Sequence, residues 1–402
     1  MKRNKVALSA ILILILCILN MSLVSASDEH NNLSNAQYTS VESIPKQQQE
    51  KIKAQAEQFE RVNSLVNEAA SNGINVEGIY YDDQKSKYIV QILNEDQKGK
   101  LMGINENQED VDYEVVKYSK KELENYNLNL SDLMQSKKIL GLRGHWVDVK
   151  SNKVVAIVDE LDVKSELTKY VNEDALQIAK LVSFDFHVKS GDKIVESNGG
   201  GCTAAFHGKK GTQNVTVTAG HCGYNGTGNS WKFGSTTIGT FGFKTSGNTT
   251  ADAGYIVLNS SSHIEVTERV TAGTSAVIGG ANDAGNEVQG DYIYLSTPYT
   301  GYLQEGTVQQ TGVSFNAGGE YGFNTLSDIR LTNAVSAEGD SGAPVMKLRW
   351  VSAKNRWEFI IQGVNNGTIS LQINGTTYNY EWYSAYKNVY NTLGLTSLYV
   401  AS

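Results

Sequence analysis

A sharp change in composition near residue 200 divides this chain into two parts that differ in fold class. Residues 1–199 contain 24 Lys and Arg, 30 Asp and Glu and 8 Gly, whereas residues 200–402 contain 11, 13 and 30. A charge-dense, glycine-poor segment is compatible with helices, while a glycine-rich segment with little charge is typical of short strands and tight turns. We therefore expect an α+β first part and an all-β second part. About 200 residues suit one double barrel or one sandwich.

The N-terminus has the three regions of a secretory signal peptide. A basic start at residues 1–5 is followed by an apolar run at 7–19 and by small residues at 24–26, an order that is typical of an exported chain cleaved after Ala26. The apolar run falls short of the roughly 20 residues that a membrane-spanning helix needs. We predict a signal peptide over residues 1–26, secretion, and no membrane association after its removal.

The segment that precedes the glycine-rich part is predicted to contain helices and a hairpin. Residues 46–70 carry apolar side chains at helical spacing among Gln, Glu, Lys and Ala, which predicts a helix. Two β-rich runs, 146–150 and 153–158, flank a two-residue turn and predict a β-hairpin. Residues 166–181 have an amphipathic helical pattern. The α+β module at about 140–185 can be a permanent appendage or a removable propeptide, and the pattern leaves both open.

The glycine-rich part is predicted to be all-β with one terminal helix. The helix is expected at residues 381–393. The strand-like segments are bounded by Gly, Asn or Ser turns and comprise residues 214–218, 235–243, 253–258, 276–279, 291–295, 306–315, 328–331, 359–364 and 370–373.

Cysteine content and charge exclude several classes of function. Once the signal is removed with Cys17, only Cys202 and Cys222 remain, and an even pair in an exported chain predicts one disulfide. Because the sequence also lacks a His-Glu-x-x-His motif, a metalloprotease is disfavoured, and we expect no metal or other cofactor. A net charge of −8 argues against a nucleic-acid partner, since phosphate binding depends on clustered Lys and Arg.

Two short motifs carry residue types suited to nucleophilic catalysis. In Thr-Ala-Gly-His-Cys, residues 218–222, the predicted disulfide would hold the loop of His221 against a neighbouring strand. In Glu-Gly-Asp-Ser-Gly-Ala-Pro, residues 338–344, the glycines let the backbone approach a substrate carbonyl closely. A serine nucleophile needs a general base, here His221, and donors for the oxyanion, here the N–H groups of Gly339 and Ser341.

In this order the two motifs resemble those of the chymotrypsin-like serine proteases, nearest the bacterial streptogrisin and α-lytic protease branch. Residues 191–194 and 202–206, Gly-Asp-Lys-Ile and Cys-Thr-Ala-Ala-Phe, are similar to the start of the mature enzymes of that branch. The likeness runs from about residue 188 to the C-terminus. It implies that residues 189–402 form a double β-barrel with the active site between the barrels. The hairpin at 146–158 and the helix predicted after it resemble the C-terminal part of propeptides in the same branch, which implies that residues 27–188 are a propeptide that assists folding and blocks the cleft.

The resemblance further implies an aspartate between the histidine and the serine in the chain. We select Asp252, because Thr-Ala-Asp-Ala-Gly-Tyr-Ile places it at the start of an apolar strand, where it would accept the second N–H of His221. Asp283 and Asp291 are rivals in Gly- and Asn-rich surroundings, which are more typical of solvated turns. Asp340 is not a triad member. In the family its carboxylate pairs with the new N-terminus or with a buried polar group, and both remain open here.

By the family motif, the primary substrate pocket involves Val335, Ser336 and Glu338. An apolar Val335 at the pocket base is poorly suited to a buried Arg or Lys side chain, and Asn365 stands where a Glu-specific relative is expected to have histidine. We therefore expect apolar or aromatic side chains before the scissile bond. Ala337 replaces a family cysteine, so one disulfide that usually braces the pocket wall is absent.

The sequence as a whole predicts a secreted, monomeric serine endopeptidase that is made as an inactive precursor and acts on proteins or peptides. Release of the propeptide is expected near residues 186–189, by self-cleavage or by another protease. The main alternative is an inactive protease-fold module that serves binding or adhesion. An esterase would carry Gly-x-Ser-x-Gly on a strand-to-helix bend in an α/β chain, and this sequence has neither.

Overall fold

The computed structural model describes the chain in seven segments: residues 37–38, 43–104, 110–186, 193–197, 199–261, 277–297 and 302–401. The predicted signal peptide, residues 1–26, and residues 187–189 of the predicted processing segment lie outside the described residues. Residues 37–402 belong to one compact unit. In the seven segments no helix combines the length and the apolar character needed to cross a membrane.

The charge-dense part folds as helices and short strands. The helix predicted at 46–70 and the hairpin predicted at 146–158 are both confirmed. The helices are α1 Lys46–Ser71, α2 Glu95–Ile104, α3 Lys120–Gln135 and the single turn α4 Lys164–Leu167. The strands are β1 Gln37–Tyr38, β2 Gly78–Asp82, β3 Lys87–Ile92, β4 Val111–Val115, β5 Leu142–Asp148, β6 Lys153–Val158 and β7 Leu176–Phe186.

In its described residues the glycine-rich part is all-β with one α-helix near its C-terminus, as predicted. Its strands are β8 Lys193–Glu196, β9 Gly201–Thr203, β10 Phe206–Lys210, β11 Gln213–Thr218, β12 Ser230–Phe233, β13 Thr236–Lys244, β14 Gly247–Thr249, β15 Gly254–Leu258, β16 Val277–Ala281, β17 Tyr292–Thr297, β18 Tyr302–Asn316, β19 Phe323–Thr332, β20 Pro344–Val351, β21 Arg356–Ile373, β22 Thr376–Ala385 and β23 Ser397–Leu398. The helix, α5, is Tyr386–Leu393.

Two helix predictions are wrong in whole or in part. At 166–181, α4 ends at Leu167, and the rest of the segment leads into β7, which pairs with β6 on one side and with β21 on the other. At 381–393, the first five residues belong to β22, which lies between β19 and β21. In both cases strand partners on two sides satisfy the backbone, and this tertiary pairing overrides the local helical pattern.

The β part is built on two sheets. The first contains eight strands in the order β23-β10-β11-β15-β13-β12-β8-β9. In the second, β17, β18, β19, β22, β21 and β20 pair in that order, and β20 pairs with β17, so the six strands close a barrel. Its interior is apolar and contains Ile293, Leu295, Val308, Ala334, Ala343, Val345 and Tyr383.

Strands from the charge-dense part extend this barrel. β5 pairs with β18, β6 joins β5 to β7, and β7 pairs with β21, so that these strands close a second ring with β19 and β22. The ring encloses buried side chains from both parts of the chain, which we call the shared core. The charge-dense part contributes Trp146, Val155, Ile157 and Ala179, and the glycine-rich part contributes Val313, Phe315, Ala317, Phe323, Leu326, Ile329, Leu331, Ile369, Leu371 and Trp382.

Helix α1 packs on the outer face of the same barrel. Gln55 is 1% exposed; its side-chain amide donates to the carbonyl of Gly290 and accepts from the N–H of Tyr292. The hydroxyl of Tyr292 donates to Asp83, which also pairs with Lys51 of α1. The charge-dense part thus contacts the barrel through hydrogen bonds of polar side chains as well as through the apolar shared core.

Candidate active site

His221 lies in a short turn that is covalently anchored. β11 ends at Thr218, and His221–Gly223 forms a 3₁₀ turn directly after it. The predicted disulfide is confirmed: Cys222 of this turn is bonded to Cys202 of β9, 20 residues earlier. A cross-link that closes such a loop contributes roughly 3 kcal/mol by restricting the unfolded chain. It also holds the imidazole on a fixed part of the first sheet.

Asp252 holds the histidine ring through two hydrogen bonds. The aspartate lies two residues before the start of β15, which pairs with β11 and so lies beside the histidine turn. Its Oδ2 is 2.5 Å from Nδ1 of His221, and its Oδ1 accepts the His221 backbone N–H at 2.9 Å. A carboxylate at Nδ1 keeps the proton on that nitrogen, so Nε2 is left as an acceptor.

Ser341 lies next to this histidine in a loop of the second sheet. It lies in the loop between β19 and β20, and its Oγ is 2.9 Å from Nε2 of His221. His221, Asp252 and Ser341 are each at most 1% exposed. The structure therefore brings the three predicted triad residues together. The rivals lie elsewhere, since Asp283 is exposed and Asp291 pairs with Lys347 at 3.1 Å.

The nucleophile turn depends on glycine. Gly339 and Gly342 have φ angles of 121° and 88°, which side chains rarely tolerate. A Cβ on Gly342 would collide with the hydroxyl of Thr218 and with the carbonyl of Thr203. The same Thr203 donates its backbone N–H to the carbonyl of Ser341 at 2.8 Å. The turn is thus pressed against the first sheet with the serine facing His221.

Two backbone N–H groups beside the serine are available to an incoming oxygen. In the described part of the chain, no acceptor is bonded to the N–H of Gly339 or of Ser341, the two predicted oxyanion donors. Asp340 between them is fully buried, and its Oδ2 accepts the backbone N–H of Ala337 at 2.7 Å. Its carboxyl group therefore braces the turn from within in this structure.

Sequence reasoning missed two residues that support Asp252. The amide of Asn366 donates to the backbone carbonyl of Asp252 at 2.7 Å, and the Asp252 N–H is 2.9 Å from Oγ of Ser384. The Ser384 hydroxyl donates in turn to the side-chain oxygen of Asn366 at 2.8 Å. The carbonyl of Asn366 also lies 3.4 Å from Oγ of Ser341. In the sequence, the signal for this support is a pair of asparagines, Asn365 and Asn366, within a strand-like segment.

The predicted pocket residues are placed unevenly. Val335 is 43% exposed, Ser336 is half-buried and Glu338 is exposed. The Ser336 hydroxyl donates to the carboxyl group of Glu381 in β22, which is 4% exposed. Burial, reinforced by the nearby Asp340, raises the pKa of Glu381 to about 8, although the hydrogen bonds from Ser336 oppose the shift. Sequence reasoning also missed this carboxyl group, because it placed residue 381 in a helix.

Aromatic rings flank the histidine. The ring of Tyr321, in the connection between β18 and β19, lies 5.7 Å from the His221 ring and 5.6 Å from the ring of Tyr224. Tyr321 thus contacts both the imidazole and the more exposed ring of Tyr224. Among the described residues, no group of three or more His, Cys, Asp or Glu side chains is arranged to hold a metal ion.

Solved structures similar to this chain are bacterial chymotrypsin-like serine proteases. One is a glutamic acid-specific serine protease, 24% identical, which matches 52% of this chain and all of its own with a TM-score of 0.38. Thermobifida fusca protease A is 20% identical and matches 52% of this chain and 97% of its own, with a TM-score of 0.38. Cellulomonas bogoriensis chymotrypsin is 18% identical and matches 53% of this chain and 98% of its own, with a TM-score of 0.39. The expected resemblance to bacterial chymotrypsin-like serine proteases is thus confirmed over about half of the chain.

No protein-family model matches the chain.

Proposed function

We propose that this chain is a secreted serine endopeptidase made as an inactive precursor, with His221, Asp252 and Ser341 as its catalytic residues. One observation carries the proposal: a buried histidine accepts from a serine hydroxyl on one nitrogen and donates to a buried carboxylate on the other, at 2.9 and 2.5 Å. Such an arrangement generates a nucleophile from an otherwise weak serine.

The geometry supports acyl transfer by general base catalysis. His221 takes the proton of Ser341 as its Oγ attacks the scissile carbonyl, and the developing oxyanion lies against the N–H groups of Gly339 and Ser341. The imidazolium is stabilised by Asp252 and protonates the leaving amine. Water then resolves the acyl-enzyme by the same route. Asn366 and Ser384 hold Asp252 in place through its backbone carbonyl and N–H, which reduces the reorganisation needed during the reaction.

A covalent serine-directed probe tests this proposal. In the processed protein, a fluorophosphonate is expected to label Ser341, because its Oγ lies 2.9 Å from Nε2 of the triad histidine. Mass spectrometry of the labelled peptide locates the site, and His221→Ala is expected to abolish labelling. Folded, processed protein that remains unlabelled would instead support the alternative of an inactive binding or adhesion module.

We further propose that residues 27–188 are a propeptide and that residues 189–402 are the protease domain. The contacts that support this lie beside the site: in the ladder between β7 and β21, Phe186 is opposite Gly367, the residue that follows Asn366. The end of the propeptide thus runs along the strand that borders the nucleophile. Cleavage near residues 186–189 would free this edge for a substrate, and sequencing the N-terminus of the secreted protein checks the position.

Removing one aromatic side chain from the shared core is expected to weaken binding of the cleaved propeptide to the protease domain. Trp146 is 2% exposed, and deleting a buried Trp side chain costs about 3–5 kcal/mol, so Trp146→Ala should raise the inhibition constant of the propeptide about 10²- to 10⁴-fold. Leu140→Ala is the matched control, since Leu140 is 81% exposed. Equal inhibition constants for both variants would contradict propeptide docking through this core.

A further inference from the structure

Glu381 lies at the end of the barrel interior, below the loop that carries the nucleophile. It is two residues before Tyr383, so the two side chains share one face of β22, and Tyr383 belongs to the barrel core. In the two neighbouring ladders Glu381 is opposite Thr332 of β19 and Thr368 of β21, which are uncharged. β19 leads directly into residues 333–343, which connect it to β20 and contain Ser341. A carboxyl group therefore occupies the floor of this loop.

The carboxyl group is connected to the loop surface by Ser336. Oε2 of Glu381 accepts the hydroxyl of Ser336, which is half-buried and five residues before the nucleophile. Val335, the residue that the sequence places at the pocket base, is 43% exposed and is therefore not a buried part of the barrel core. The Ser336–Glu381 pair thus places a carboxyl group next to the residue that follows Val335.

The electrostatics of the pair favour a cation. Burial raises the pKa of Glu381 to about 8, and the negative charge of Asp340 in the nucleophile loop adds to this shift. An arginine or lysine side chain that reached the pair would favour the ionised carboxyl group, because opposite charges at short distance lower the pKa of an acid. The apolar preference expected from Val335 takes no account of this group.

We propose that Glu381, with Ser336, makes this enzyme select substrates with arginine or lysine immediately before the scissile bond. This inference rests on the proposed peptidase activity. Glu381 acts on substrate specificity, and it takes no part in the proton transfers at Ser341.

The test compares two peptides that differ only in that residue, arginine or leucine. The ratio of their kcat/KM values cancels effects common to both, including those of the triad. For the wild-type enzyme we expect arginine to be preferred, and the ratio to rise several-fold between pH 7 and pH 9 as Glu381 ionises while arginine stays charged. For Glu381→Gln, which can still accept from Ser336, we expect the ratio to fall about 30-fold or more and to lose this rise.

Asp283→Asn is the matched control, because it removes one negative charge from an exposed position of the same domain. It is expected to leave the ratio unchanged. A wild-type preference for leucine with no change over this pH range overturns the inference without the need for any variant, and so does an unchanged ratio in Glu381→Gln. Labelling of Ser341 by the fluorophosphonate separates the two proposals: an unlabelled wild-type protein defeats the peptidase activity itself, whereas a labelled protein with either of these ratios defeats only the role of Glu381.

Discussion

Ser341→Ala is expected to lower the turnover of a peptide substrate by about 10⁴- to 10⁶-fold. The variant loses the atom that forms the acyl-enzyme, while the oxyanion donors and the substrate contacts remain. KM should change little, since the lost hydroxyl group acts in the transition state and contributes little to binding of the substrate. Steady-state kinetics on purified, processed protein measures the effect, after the precursor is cleaved by an added protease if it fails to cleave itself.

Ser352→Ala provides the control, since Ser352 is an exposed serine of the same domain; its kinetics should match the wild type. Residual activity of Ser341→Ala above about 1% would show that another group is the nucleophile. The state of the chain gives a second readout. Precursor that accumulates only in Ser341→Ala indicates self-cleavage near residues 186–189, whereas normal processing indicates another protease.

Asp252→Asn is expected to lower kcat by about 10⁴-fold. The amide can turn an N–H toward Nδ1 of His221, which then has to accept, and the proton moves to Nε2, where it blocks deprotonation of Ser341. The packing around residue 252 should persist, because its backbone N–H and carbonyl remain bonded to Ser384 and Asn366. Thermal unfolding of the variant, compared with the wild type, checks this point.

The rival aspartate supplies the comparison for this variant. Asp283→Asn removes the same charge from an exposed position and should keep full activity. If Asp252→Asn lost less than about tenfold in kcat, the hydrogen bond to His221 would not orient the catalytic imidazole, and the triad proposal would have to be revised.

The sequence predicted the local features of the site because those features are encoded locally. Glycines at 339 and 342 mark a turn that needs positive φ angles, and an aspartate at the start of an apolar strand marks a position next to a strand end. The cysteine pair also follows from composition and export. By contrast, the helix predicted at residues 166–181 and 381–385 is replaced largely by strand, because an amphipathic pattern does not reveal strand partners elsewhere in the chain.

On its own, the sequence determined the division into a charge-dense part and an all-β part, the disulfide and the residue types that meet around His221. Tertiary structure alone decided which distant side chains support and surround them: Asn366 and Ser384 behind Asp252, Glu381 below Ser336, and β7 beside the strand that borders the nucleophile. The physical reason is that turn conformation and hydrophobic pattern act over a few residues. Burial of a carboxyl group and closure of a barrel depend on residues brought together only when the chain has folded.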